Sequence, residues 1–193
     1  MSDRSGGTSL ADLLMAMGVV SVLGAVCLPL IAEAVATARL RHAAGFVATR
    51  FRLARASAAA KTTSVAVVFD WTNGRWTFRI CEDRNGNVVR RGEIAAGPDV
   101  CIEGPHDLAA LFPGVQVVAD AAIRGPDGEP GSSDAVRFGR SDLASFSPMG
   151  TCTAGSLLLR GKSGTPVMVR IAGVTGRARI LRYDRAARIW RDG

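Results

Sequence analysis

The sequence predicts an α+β protein. One long N-terminal helix, its first half crossing a membrane, packs through its second half on an antiparallel β-sheet or sandwich. Three observations predict this. From Leu13 to Ala32 the chain runs for 20 residues without a charge. From there to Lys61 apolar residues recur at helical spacing. After Lys61 the pattern changes to short apolar runs separated by turn residues, and no long helical pattern alternates with them.

Composition bounds the function before any motif is considered. With 193 residues, 48% hydrophobic and 21% charged, the chain can bury a real core and is not a wholly disordered polymer. An aromatic share of 6% and 22 glycines favour small side chains and tight turns. The net charge of +7 is unevenly placed: residues 39–61 carry five Arg and one Lys without an acid, and residues 160–193 carry eight Arg and one Lys against two Asp. Two basic surfaces of this kind steer anionic partners, either polyanions or lipid heads. Only Lys61 and Lys162 are lysines, so the arginine excess also follows the protein's general preference for Arg.

The run LLMAMGVVSVLGAVCLPLIA would span roughly 30 Å as a helix, the thickness of a bilayer's hydrocarbon core. In lipid every backbone N–H and C=O must be satisfied internally, which selects a helix. A core helix of a soluble protein would show a polar face, and this run has none. A secretory signal peptide would have a more basic start, a shorter apolar stretch and a small-x-small cleavage site; here helix formers simply continue. Ala36, Leu40, Ala43, Val47, Phe51, Ala54 and Ala58 form one apolar stripe, away from Arg41, Arg52 and Arg55. Pro29 removes one backbone donor and is expected to bend the helix near the membrane exit.

The polar leader MSDRSGG, the acid Asp12 within the apolar run and then Pro29 resemble the class III signal segment of type IV pilins and pseudopilins. The resemblance implies cleavage by a prepilin peptidase between Gly7 and Thr8, giving a leader 1–7, a transmembrane part 8–32 and an amphipathic continuation 33–61. Asp12 would then be the fifth residue and Pro29 the twenty-second of the processed chain, positions where the family has Glu and Pro. Thr8 departs from the usual Phe or Met. A lone carboxylate in hydrocarbon costs about 2.5–3.5 kcal/mol on insertion scales and needs a partner. In the family that partner is the terminal amine created by cleavage, which makes Asp12 and Pro29 assembly residues. An interfacial Asp favoured by the helix dipole is the simpler alternative.

Beyond Lys61, SVAVVFDW, Thr72-Asn73-Gly74 and RWTFRI predict a hairpin, because Asn-Gly tolerates the positive φ angles of a tight turn. Further strands are predicted at VQVVA (from 115), AVRF (135), SLLLR (156), TPVMVRI (165) and ARILRY (178), with a short helix in HDLAALF (106). GPDGEPGSS, from 125, reads as an exposed loop. FSPMGT (146–151), the SLLLR strand and VMVRIAGVTGRARI are similar to the C-terminal signature of the GspH/FimT pseudopilins. That resemblance covers both ends of the chain and implies a GspH/FimT-like periplasmic β domain over 62–193. It further implies a bacterial inner-membrane location with a single pass. The implied partners are other pilin or pseudopilin subunits, the prepilin peptidase, an inner-membrane assembly platform and lipid. Charge alone argues the other orientation, since Arg39, Arg41, Arg50 and Arg52 outnumber Arg4 and cations near a span stay cytoplasmic.

The candidate chemistry is sparse. Cys27 lies in the apolar run. Cys81 and Cys101 would close a loop of about 20 residues, worth about 3 kcal/mol in the chain-entropy model. Cys152 is an alternative partner for either, and buried free thiols are the other possibility. Asp83, Asn85 and Asn87 resemble the start of a calcium loop, but Val88 and Ile94 stand where its Gly and Glu belong, so an Asn-Gly hairpin turn is expected instead. His42 and His106 form no nucleophile motif with Cys152, and neither a Gly-x-Ser-x-Gly elbow nor a phosphate-binding loop occurs; neither catalysis, a metal nor a cofactor is expected. Arg177 and Arg179 share one face of a predicted strand, with Arg170, Arg182, Arg185, Arg188 and Arg191 near in sequence. In FimT-like subunits this Gly-Arg-x-Arg element is associated with DNA, which makes Arg177, Arg179 and Arg182 candidate DNA-binding residues. A solvated, charge-protected strand is the plainer reading.

Overall fold

A computed structural model describes residues 9–193; the Gly7–Thr8 cleavage site lies outside them. Two compact units are distinguished, one ending at Val35 and the other spanning Ala36–Gly193.

Helix α1 runs from Leu10 to Lys61 and continues on both sides of Pro29. Its start is capped locally: Ser9 Oγ accepts the Ala11 N–H, and Ser9 N–H reaches the Asp12 carboxylate at 3.3 Å. Within the first unit its apolar side chains are exposed, Leu10, Met15, Val20 and Leu28 among them. This helix is long and apolar enough to cross a membrane.

In the second unit α1 lies on antiparallel sheets. Leu40, Ala43, Val47, Phe51, Ala54 and Ala58 are buried, the stripe expected from the three-and-four spacing. A four-stranded sheet is ordered β3-β2-β1-β6, from β1 (Val65–Thr72), β2 (Arg75–Glu82), β3 (Val100–Asp107) and β6 (Leu143–Phe146). The other sheet runs β10-β9-β8-β7-β4, from β4 (Gln116–Val117), β7 (Gly155–Arg160), β8 (Pro166–Ala172), β9 (Arg177–Asp184) and β10 (Ile189–Asp192). The two-residue β5 (Val136–Arg137) also pairs with β7. All pairings are antiparallel.

The Asn73-Gly74 hairpin closes with both residues at positive φ, 52° and 76°, and Thr72 opposite Arg75. β1 explains its own unbroken apolar run. Val65, Val67 and Phe69 face the main core, while Ala66 and Val68 face a smaller cluster with Cys81, Val89 and Leu143. At the centre Phe51 meets Phe69, Phe138 and Phe146 with ring centroids 6.2, 5.5 and 6.3 Å away.

Several expectations change in detail. VQVVA forms only the two residues of β4, and the short helix is α3 (Leu108–Leu111), because Asp107 ends β3 and caps the Ala109 and Ala110 N–H groups. β3, β6, β10 and helix α2 (Arg91–Ala96) carry no strong period and went unpredicted. Residues 83–87 are not a hairpin turn but a loop leading into α2, organised by the Asp83 carboxylate.

Candidate functional site

Two surfaces carry the sequence-derived candidates. The first is α1 in the first unit. Its exposed apolar side chains leave Asp12, in the first turn, as an acid on an otherwise uncharged surface through Ala32. The Ser21 hydroxyl donates a hydrogen bond to the Met17 carbonyl at 2.8 Å, so it is satisfied within the helix.

The second surface is the side of the larger sheet turned away from the main core. Alternation along β9 puts Arg177, Arg179 and Leu181 on that side and Ala178, Ile180 and Arg182 on the other. Arg182 stands opposite the core residue Val167, at the exposed end of the strand, so the three candidate arginines do not converge. Arg179 is clamped by Asp192 at 2.6 and 2.8 Å, and this hydrogen-bonded anion holds the guanidinium further above its ordinary pKa. Arg177 is exposed, with no ion pair among the described residues.

The strand registers assemble a feature that sequence distance hides. Arg137 of β5 stands opposite Ser156 of β7, Ser156 opposite Arg170 of β8, and Arg170 opposite Arg179 of β9. Directly opposed residues share a face, so Arg137, Arg170 and Arg179 form one row. The row floors an open cavity of about 690 Å³, which Leu181 and Trp190 also line. Carboxylates from the 125–131 loop lie on it: Arg170 donates to Asp127 and, at 3.2 Å, to Glu129. Alternation with buried Val136, Val169 and Ala178 is the one sequence signal for this side of the sheet; which strands are neighbours is not readable locally.

Cys81 and Cys101 face one another across β2 and β3 and form a disulfide. Cys27 is exposed and Cys152 half-buried, both free thiols. Burial pushes the Cys152 thiol up, against a smaller opposing effect of Arg55, and its Sγ faces the Ala172 carbonyl at 3.5 Å. His106 Nε2 meets Glu103 at 2.8 Å, and Glu103 also pairs with Arg50 at 3.0 Å.

Burial raises the Asp83 pKa, but the N–H groups of Gly86, Val88 and Asn85 outweigh it and hold the carboxyl below its ordinary value. Both oxygens are used: Oδ1 accepts from Asn85 and Gly86, and Oδ2 from Val88. Glu93 in turn accepts both Asn85 and Asn87 side-chain amides. The polar residues that resemble a calcium loop therefore bond to one another, with Asn87 Oδ1 left buried and without a partner. No cluster of three or more metal-ligating His, Cys, Asp or Glu occurs among the described residues.

Comparison with family models, with curated proteins and with solved structures finds no significant match for the chain.

Proposed function

We propose that the chain is a minor pseudopilin of the GspH/FimT type, a pilin-like subunit of a type II secretion or type IV pilus machine. One observation carries this reading: an exposed, uncharged helical surface broken only by Asp12 continues into the helix that anchors a two-sheet β domain. A subunit of that kind works mechanically. Its apolar surface is stable in lipid and equally stable against like helices, so it can leave one for the other at small cost. A carboxylate surrounded by lipid favours whichever state offers a cation, and the amine freed by cleavage at Gly7–Thr8 is that cation. The β domain then lies in the periplasm and the partners are neighbouring subunits, the prepilin peptidase and the inner-membrane platform.

Mass spectrometry of the native N-terminus tests the proposal. A chain beginning at Thr8 is expected, and an intact Met1 in the assembled machine would overturn it.

A second reading, DNA capture, is supported by the exposed Arg177 beside Arg179. It requires Arg179 to exchange Asp192 for phosphate, and Arg182 works from the other face. Binding measured across a salt series decides it: phosphate contact gives a steep loss with salt, which Arg177→Ala with Arg179→Ala flattens.

A further inference from the structure

The arginine row on the larger sheet is occupied by the protein's own acids. Adjacent strands lie about 4.8 Å apart, so Arg170 and Arg179 are immediate neighbours and Arg137 stands about 10 Å from Arg170 across β7. Like charges set directly opposite destabilise a sheet. Here Asp127, Glu129 and Asp192 compensate two of the three arginines. Arg137 faces the same cavity with no ion pair among the described residues.

The loop bearing Asp127 and Glu129 is held at its base. Gly125 N–H bonds to the Glu129 carbonyl at 2.8 Å, Gly128 N–H to the Gly125 carbonyl at 3.1 Å, and Asp120 bridges to Ser132. Gly131 packs so closely that an added β-carbon would stand 2.2 Å from the Ala121 carbonyl oxygen. By contrast Asp127 at its tip is open to water, its side chain 69% exposed, whereas Arg170 and Glu129 are more covered and Glu129 also accepts the Asp127 N–H at 3.0 Å. An ion pair with so exposed a carboxylate as Asp127 contributes little to stability.

We propose that this row is a docking surface for an extended acidic segment of a partner protein, carrying carboxylates at alternate residues. The segment displaces Asp127 and Glu129 and engages Arg137 and Arg170 together, beside Arg179, which stays on Asp192. The present occupant argues the chemistry, because Asp127-Gly128-Glu129 is itself a peptide with carboxylates at alternate residues. Charge balance argues against nucleic acid: three arginines against three carboxylates leave no field for a dense polyphosphate, whereas a carboxylate-for-carboxylate exchange keeps the balance and adds the contact to Arg137. Half-buried Trp190, with buried Leu181 beneath the cavity, gives the segment an apolar edge to lie on.

The test measures fluorescence anisotropy of a labelled peptide of repeating Asp-Gly-Glu-Pro units on the full chain in detergent micelles. Asp127→Asn with Glu129→Gln vacates the Arg137–Arg170 part of the row, leaving Arg179 on Asp192, and is expected to tighten binding about ten-fold over the unsubstituted chain. Arg137→Gln in that background is expected to lose about ten-fold while leaving every ion pair of the fold intact, with a thermal melt confirming that each variant is folded. No gain on vacating the row, or no loss with Arg137→Gln, overturns the proposal. So does tighter binding of a single-stranded DNA of equal charge, which would assign the row to nucleic acid.

Discussion

The carbonyl oxygen of Gly150 lies 2.7 Å from the point where Gly176 would carry a β-carbon, and that carbon would also stand 3.0 Å from Arg55 Cδ. The turn after β6 and the β8–β9 turn therefore close on one helix side chain. The two C-terminal glycine motifs meet here although 26 positions separate them.

Gly176 has φ of 61° as well as no room for a side chain. Gly176→Ala is expected to cost about 2–4 kcal/mol, from left-handed strain plus overpacking. Gly74→Ala, at φ 76° with open space around it, carries the strain alone and is expected to cost about 1–2 kcal/mol. Denaturant unfolding of both variants in micelles measures the difference. Equal losses would show that the Gly150 contact contributes nothing.

Phe51 is fully buried in the core under α1 and meets three other phenylalanine rings. Phe51→Ala is expected to destabilise the second unit by about 3–5 kcal/mol. Leu53, 47% exposed on the same helix, is expected to lose under about 1 kcal/mol on the same change.

Reduction of Cys81–Cys101, or Cys81→Ser with Cys101→Ser, is expected to lower stability by about 3 kcal/mol by releasing the loop in the unfolded chain. Cys152→Ser leaves the melting temperature within a few degrees. A reductant that shifts the Cys152→Ser chain but not the double variant assigns the whole effect to the bridge.

Two carboxylates are expected to respond to pH with opposite sign. The folded state holds Asp83 below its ordinary pKa, so it adds stability above the unfolded value that disappears as pH falls through the folded one. Asp83→Asn therefore destabilises at pH 7, by about 1.5–3 kcal/mol for the lost charged hydrogen bonds, and has little effect in strong acid. Asp142 is pushed up, first by burial and then by the charge of Asp134. Its ionised form opposes folding at neutral pH, and protonation relieves this as pH falls through the raised value. Asp142→Asn is expected to raise the melting temperature at pH 7 and to converge with the unsubstituted chain in acid. Asn also tolerates the φ of 53° found there. Melts across pH check both, and parallel shifts at every pH would contradict the assignment.

Helix α1 and the β1–β2 hairpin were legible from the sequence alone because their signals are local. An uncharged 20-residue run, a three-and-four stripe and an Asn-Gly pair each act within one or two turns of chain. Strands β7, β8 and β9 were legible as apolar runs as well, but which strands they neighbour, and in what register, depends on long-range pairing that local patterns do not encode. Alternation could place Arg179 on a face, but only the register of β7, β8 and β9 set it beside Arg170 and in line with Arg137. Spacing left Cys152 open as a disulfide partner until the β2–β3 pairing put Cys81 opposite Cys101. The weak strands β3, β6 and β10 form because neighbouring strands offer them backbone partners; β6 takes its partner β1 from far along the chain, Val65 opposite Phe146, and such a partner leaves no trace in a local period.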